Sequence, residues 1–286
     1  MRPVPRSWPW LLVLAIALAL ALAWPTPPAT GAASPAGAAS PAGAASPARA
    51  EAAAQAFAGQ PGAFVLRWPD GRTWRHQPRA AAARFSPCST FKIPSALIGL
   101  ETGVISGPDF VLAWDGHARP FPEHNRDHDL MSAVRYSVVW YFRELARRVG
   151  AGRMQAWLDR LDYGNRDISG GVDRFWLHSS LAISADEQVA FLARLQQERL
   201  PASAAGQRQV KALLALESRD GAVLHGKTGS WRADGRWSLG WFVGWLERDG
   251  GAHVFACRLE PDARREANGQ RARAVAEAVL RAWGLW

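Results

Sequence analysis

Strand-like segments lie at both ends of the globular part of this chain, with helical patterns between them. Strands are predicted at 62–68 and 73–77, joined by a Pro-Asp-Gly turn, and again at 222–231, 237–246 and 253–259. Segments so far apart in sequence form one sheet only if the two ends of the chain come together. The pattern therefore predicts an antiparallel sheet built from both ends of the globular part.

The middle of the chain carries apolar residues at helical spacing. The pattern turns helical at Ser89, and the further predicted helices are 129–149, 151–162, 184–197, 203–217 and about 270–283. We predict an α+β fold: an antiparallel sheet of five to seven strands, flanked by N- and C-terminal helices. A helical lobe, about 105–217, is inserted beside the sheet, and the cleft between the two lobes is the expected place for a site.

Residues 1–33 have the pattern of an export signal. Arg2 and Arg6 precede an unbroken apolar run from Leu11 to Ala23, and small residues follow. A membrane-spanning helix needs about 20 apolar residues, so an uncleaved anchor is the less favoured alternative. We expect a protein exported to the periplasm, with no stable membrane insertion after the signal is cleaved.

Three copies of Gly-Ala-Ala-Ser-Pro-Ala follow the signal. Repeated proline interrupts helices, and small residues cannot form a core. We therefore predict a disordered spacer at 34–55 and a catalytic domain at 56–286.

The formal charge is +9, and it falls to +7 once the two arginines of the signal are removed. The remaining arginines are scattered among acidic residues and form no stripe. We therefore expect a solvated basic surface and no nucleic-acid partner. The sequence assigns no oligomeric state.

Lysine is scarce: of 34 basic residues only Lys92, Lys211 and Lys227 are lysine. A buried lysine can lose its proton and act as a base, whereas arginine stays charged. Lys92 follows Ser89 by three residues, which in a helix places both on one face. This is the arrangement of an activated serine nucleophile, although Ser-x-x-Lys by itself is a weak signal.

Lys227, Thr228 and Gly229 form a second cluster at the end of a predicted strand. A charged lysine and a hydroxyl there would bind an anionic substrate, and the glycine would allow close backbone approach. Between the two clusters lie Tyr136–Val139, on a predicted helix, and Tyr163–Asn165, in a predicted turn. The four elements together, in this order, are specific for the penicillin-recognising serine enzymes.

From about Trp68 to the C-terminus, the chain resembles the class D β-lactamases, the oxacillinases. The residues that carry the resemblance are Ser89-Thr90-Phe91-Lys92, Ser137-Val138-Val139, Tyr163-Gly164-Asn165, Asp167-Ile168-Ser169-Gly170-Gly171 with Phe175-Trp176-Leu177, Lys227-Thr228-Gly229 and Trp241-Phe242-Val243-Gly244-Trp245. The resemblance implies hydrolysis of penicillins and oxacillin-type drugs, small-molecule β-lactams, through an acyl-enzyme.

In that reading Ser89 is the nucleophile. Lys92 takes up carbon dioxide, supplied as such or as bicarbonate, to give a carbamate (N6-carboxylysine) that serves as general base; no other cofactor is implied. Trp176 hydrogen-bonds the carbamate, and Val139 shields it. Ser137 relays a proton to the lactam nitrogen.

The resemblance also implies an oxyanion hole and a carboxylate site. The backbone amides of Ser89 and Ser230 form the oxyanion hole. Lys227 and Thr228, beside Gly229, hold the drug carboxylate. The family also has a carboxylate-binding arginine near the start of the last helix. Counting back from Leu280 by the family spacing, that position is Ala272 in this chain. Of the two arginines beside it, Arg271 and Arg273, we prefer Arg271 for this role. Tyr163, Gly164 and Asn165 form a structural motif.

Two other groups of residues have less specific patterns. Cys88 precedes the nucleophile, but Cys88 and Cys257 are predicted to be two small buried residues rather than a redox or catalytic pair. The histidines between 117 and 128 match no zinc spacing, so no metal site is predicted. The alternative functions are a β-lactam sensor and a penicillin-binding peptidase, both of which acylate without efficient turnover.

Overall fold

A single antiparallel sheet organises the protein, whose computed structural model describes residues 46–286. Its strands are β1 (Gly62–Arg67), β2 (Thr73–His76), β3 (Ala215–Arg219), β4 (Ala222–Ala233), β5 (Arg236–Arg248) and β6 (Gly251–Leu259). Their order is β2-β1-β6-β5-β4-β3, and every neighbouring pair is antiparallel. Because β1 pairs with β6, the two ends of the domain meet inside the sheet. The predicted α+β fold is confirmed.

Helices cover both faces of the sheet. They are α1 (Pro47–Phe57), α2 (Pro78–Ala82), α3 (Lys92–Glu101), α4 (Leu130–Arg135), α5 (Val139–Val149), α6 (Ala151–Leu161), α7 (Ala185–Gln196), α8 (Ala204–Leu213) and α9 (Gly269–Ala282). Alternate residues of β5 serve the two faces: Phe242 packs in the core with α1 and α9, whereas Trp241 and Val243 pack with the helical lobe. β5 is therefore buried on both sides.

Two predicted helices have different bounds in the structure. The predicted helix 129–149 is broken at Tyr136–Val138 into α4 and α5, so Ser137 lies in a turn and not on a helix. The predicted helix 203–217 ends at Leu213, because the next residues pair with β4 as edge strand β3. In both places tertiary contacts override the local helical pattern.

The predicted disordered spacer, 34–55, extends too far at its C-terminal end. Helix α1 begins at Pro47, where the Ser46 hydroxyl accepts a hydrogen bond from Arg49 N and proline takes the first helical position. Ala53 and Phe57 are buried in the core shared with α9. Packing against α9 orders a segment whose composition alone suggests a linker. The predicted signal, 1–33, and the start of the spacer lie outside the described residues.

Among residues 46–286, none of the helices combines the length and the apolar character that crossing a membrane requires.

Candidate active site

Ser89 and Lys92 meet at the N-terminal end of α3. A short 3₁₀ turn, Cys88–Phe91, leads directly into the α-helix at Lys92. This geometry places Lys92 Nζ 2.8 Å from Ser89 Oγ, in a hydrogen bond. The expected approach of the two side chains within one helical turn is therefore present.

The Lys92 amine is fully buried, with no exposed side-chain surface. Burial lowers its pKa well below the usual lysine value, and the positive charge of Lys227 lowers it further. The ring of Phe142 lies 5.5 Å from Nζ. The neutral amine is therefore favoured beside the serine hydroxyl.

Cys88 precedes the nucleophile in a left-handed backbone conformation, with φ 50°. Its thiol and that of Cys257 are both buried and free. Burial raises the pKa of Cys88 to about 12 and raises that of Cys257 as well. Both therefore remain protonated thiols, as the interpretation of two small buried residues requires.

Ser137 ends helix α4 at a position that usually holds glycine. Its φ is 58°, and its N–H donates to Val134 O while Val138 N–H donates to Ala133 O. This pair of bonds is the Schellman motif, in which the chain reverses at a left-handed residue. The turn directs the Ser137 hydroxyl toward strand β4.

Lys227 meets that hydroxyl from the sheet. Its Nζ donates to Ser137 Oγ over 3.0 Å and to Thr228 O over 2.9 Å. Burial lowers its pKa to about 7. The neutral form of Lys227 is therefore more favoured than that of an exposed lysine.

Gly229 allows strand β4 to touch the nucleophile turn. A Cβ at this position would lie 2.9 Å from Pro87 O, 3.2 Å from Thr90 Cγ2 and 3.3 Å from Ser89 N. Only glycine fits without displacing this backbone. The close approach brings the backbone of Ser230 next to that of Ser89, the two segments predicted to supply the oxyanion hole.

Tyr163, Gly164 and Asn165 start the loop that carries Trp176. Gly164 has φ 57°, and a Cβ there would lie 2.3 Å from Ala182 O. Asn165 closes the loop, because its side chain donates to Ser180 O and accepts from Ala182 N. The three residues thus shape the loop and take no part in the cavity.

Trp176 lies at the base of this loop. Its ring stacks on Phe91, the residue before Lys92, with ring centroids 5.3 Å apart. Ser86 Oγ donates to Trp176 O over 2.9 Å and fixes the backbone. The indole N–H is buried and has no hydrogen-bond partner within the described residues. Such an unpaired buried donor is costly unless a group absent from the structure accepts from it.

A cavity of about 350 Å³ opens over Ser89. Its lining residues are Ser89, Phe121, His124, Tyr136, Ser137, Val139, Thr228, Gly229, Ser230, Trp237, Asn268 and Gln270. A larger cavity, of about 520 Å³ between Leu112 and Arg148, contains none of the motif residues. The motif residues, and not cavity size, therefore identify the site.

Known proteins share both this sequence and this fold. A family model described as the penicillin binding protein transpeptidase domain matches residues 47–281. The probable β-lactamase YbxI of Bacillus subtilis (strain 168) is 40% identical over 230 residues, covering 80% of this chain and 83% of its own. β-Lactamase OXA-48 of Klebsiella pneumoniae is 43% identical over 199 residues, covering 68% and 74%.

Solved structures agree. A class D β-lactamase from Bacillus subtilis superposes with a TM-score of 0.77 at 39% identity, covering 82% of this chain and 95% of its own. The chain belongs to the class D β-lactamase family. It is therefore a β-lactam hydrolase by class. The C-terminal domain of the Bacillus licheniformis BlaR penicillin-receptor also superposes with a TM-score of 0.77, at 33% identity, covering 82% and 95%.

The preferred carboxylate-binding arginine of the class D site is not in the cavity. Arg271 instead donates through Nε to Gln60 Oε1 over 3.2 Å, on the side of α9 that faces α1. Arg273 pairs with Glu277 and Glu217 and lines a neighbouring cleft. The helix register decides this outcome, because the residue of α9 that reaches the cavity is Gln270.

Several lining residues of this class D site were not predicted. They are Phe121, His124, Trp237, Asn268 and Gln270. Phe121 and His124 belong to a long connection without a periodic pattern, and Trp237 follows the β4–β5 turn. Trp231, two residues after Gly229 on β4, does not line the cavity and stacks on His178 with ring centroids 4.7 Å apart. No local sequence signal shows that Trp237 reaches the cavity and Trp231 does not, because the register of the two strands decides this.

The two histidines nearest the cavity make hydrogen bonds with the protein. His124 Nε2 bonds to Tyr136 O, and His128 bonds to Ser132 Oγ and Glu123 O. Burial lowers the pKa of both, so both are neutral at pH 7. They shape the wall formed by the 3₁₀ turn Pro122–His124.

Proposed function

We propose that this enzyme hydrolyses penicillins and oxacillin-type β-lactams through an acyl-enzyme on Ser89, with carbamylated Lys92 as general base. The observation that supports it most directly is the buried Lys92 amine, 2.8 Å from Ser89 Oγ. A base at that distance can take the serine proton as the hydroxyl attacks the lactam carbonyl.

The residues around Lys92 fit a carbamate. Carbon dioxide reacts with a neutral amine, and burial keeps this amine neutral. The indole N–H of Trp176 lacks an acceptor, and the apolar side chains of Val139 and Phe142 border the pocket. When present, the carbamate supplies an anionic base next to the nucleophile, with carbon dioxide or bicarbonate as its source.

The other side chains have distinct tasks in this proposal. Ser137, held by Lys227, passes a proton to the departing lactam nitrogen. The amides of Ser89 and Ser230 stabilise the oxyanion, which is a large term in acyl transfer. Thr228 faces the substrate carboxylate, and the charged form of Lys227, behind Ser137, attracts it. The aromatic rings of Phe121 and Trp237 form a wall suited to the aryl side chain of oxacillin-type drugs.

A second candidate function is β-lactam sensing, because the BlaR penicillin-receptor domain superposes as well as the β-lactamase does. Penicillin-binding peptidase activity is considered with sensing, because a β-lactam acylates either kind of protein and the acyl group then stays bound. What distinguishes them is turnover, which requires the base to activate a water molecule after acylation.

The decisive experiment is hydrolysis of a chromogenic cephalosporin with and without added bicarbonate. Steady turnover that rises with bicarbonate supports the proposal. One equivalent of product followed by a stable acyl-protein mass supports sensing or peptidase activity instead. Ser89→Ala must abolish the acyl mass, and Lys92→Ala should leave at most slow acylation with a trapped acyl-enzyme.

We further propose export to the periplasm with cleavage near residue 33, supported by the pattern of residues 1–33. The mass and N-terminal sequence of the protein recovered from the periplasm of an expressing Gram-negative host test this. Full-length protein retained in the membrane fraction would contradict it.

A further inference from the structure

The active-site cavity carries no fixed charge on its lining. Within the described part of the chain, none of its lining side chains is Arg, Lys, Asp or Glu. His124 is kept neutral by burial. Lys227 is not among the lining residues: its Nζ donates to Ser137 Oγ, and burial lowers its pKa to about 7. An anionic substrate group therefore meets mainly neutral donors.

Gln270 lies at the boundary between two cavities. It lines the active-site cavity together with Thr228, and both residues also line the neighbouring cleft of about 370 Å³, whose basic residues are Arg135, Lys227 and Arg273. A hydrogen bond from Gly269 N to Ser230 Oγ, over 2.8 Å, holds the start of α9 against strand β4. A Cβ on Gly269 would lie 2.7 Å from Thr228 Cβ, so glycine is needed for this contact.

The side chains next to Gln270 make hydrogen bonds or ion pairs with other groups of the protein. The Asn268 side chain caps α9 by accepting from Arg271 N over 2.8 Å. Arg271 contacts Gln60, and Arg273 is held by Glu277 and Glu217. The exposed Gln270 amide makes no hydrogen bond within residues 46–286, so its N–H groups are free to donate.

We infer that Gln270, together with the Thr228 hydroxyl, recognises the substrate carboxylate, and that this neutral site determines specificity. The inference rests on the proposed acyl-enzyme function and extends it to the substrate class. Neutral donors bind a carboxylate more weakly than a bidentate arginine does. The enzyme therefore accepts β-lactams whose carboxylate is masked, with a preference for the free acid of less than about tenfold.

The test compares a chromogenic cephalosporin with its carboxylate methyl ester. Acylation rates are measured at pH 7 by intact-protein mass, so that turnover is not required. Gln270→Ala should slow acylation by the acid by about threefold, which is within the wild-type acid-to-ester ratio, and leave the ester rate unchanged. Gln270→Arg should raise the acid rate about tenfold and make it sensitive to added salt.

Ala274→Arg is the matched control, because it adds the same charge to an exposed position of α9 outside the cavity. It should leave the acid-to-ester ratio unchanged. Equal losses for acid and ester in Gln270→Ala, or no gain in Gln270→Arg, would overturn the inference alone. A wild-type preference for the acid of a hundredfold or more would also overturn it. Absence of acylation in the wild type would overturn the acyl-enzyme proposal and this inference with it.

Discussion

Lys227 Nζ donates a hydrogen bond to Ser137 Oγ across 3.0 Å, and this bond joins the sheet to the helical lobe beside the cavity. Ser137 can reach it only because its backbone is left-handed, with φ 58°. That conformation destabilises an L-residue by about 1–2 kcal/mol relative to glycine. Stability and catalysis therefore make opposite demands at this one position.

Substituting Ser137 separates those demands. Ser137→Gly and Ser137→Ala both remove the hydroxyl, so both should lower kcat by about 10²–10⁴ through loss of proton transfer. Ser137→Gly should nevertheless have a free energy of unfolding about 1 kcal/mol higher than Ser137→Ala, because glycine relieves the backbone. Urea denaturation with parallel kinetics measures both. Equal stability of the two variants would show that the turn is unstrained.

The pKa of Lys227 predicts a pH dependence for anionic substrates. Lysine is charged below its pKa and neutral above it, so with a pKa of about 7 the charged form is lost as the pH rises from 7 to 9. KM for a free-acid β-lactam should then rise by less than about tenfold over this whole range, because the neutral donors Gln270 and Thr228 still contact the carboxylate. Lys227→Arg should flatten the profile, since guanidinium keeps its proton. The methyl ester serves as control, and an identical rise in its KM would rule out this cause.

Trp176→Phe tests the acceptor of the buried indole N–H. Phenylalanine keeps an aromatic ring and removes the donor. If a carbamate accepts that bond, the bicarbonate concentration that gives half-maximal activity should rise about tenfold. Trp245→Phe is the matched control, because Trp245 is equally buried but donates to Glu247 Oε1 over 2.9 Å. A bicarbonate response shared by both variants, or changed in neither, would contradict the assignment.

Gly229→Ala should damage the site through the backbone. The added methyl would lie 2.9 Å from Pro87 O and 3.3 Å from Ser89 N, so the nucleophile turn must move. Misplacing one oxyanion donor costs about 10²–10³ in kcat. Gly152→Ala, within α6 where nothing lies within 4 Å, should keep full activity and gain about 0.5–1 kcal/mol of stability. Comparable kcat in the two variants would argue against the close approach.

The sequence predicted most of the fold because the sheet strands have strong local patterns. β5 is an apolar run from Leu239 to Leu246, which is typical of a central strand. Strands β1 and β6 of the same sheet also carry runs of buried apolar residues. Local reasoning failed at the ends of elements. The break at Ser137 depends on a left-handed backbone turn that closes α4, and β3 depends on pairing with β4. α1 depends on burial of Phe57 against α9.

The sequence alone singled out the residues proposed to carry the chemistry, since Ser89 with Lys92, Ser137 and Lys227-Thr228-Gly229 stand in a specific order along the chain. Tertiary structure decided their electrostatic states and their partners. Burial is a property of the folded surroundings, so only the structure shows that burial lowers the pKa of Lys92 well below its usual value and that of Lys227 to about 7. The contact of Gly269 with β4 sets the rotation of α9 about its axis, which places Gln270 in the cavity and directs Arg271 away from it. Adjacent residues of a helix point about 100° apart, so a prediction that is wrong by one residue selects the wrong side chain.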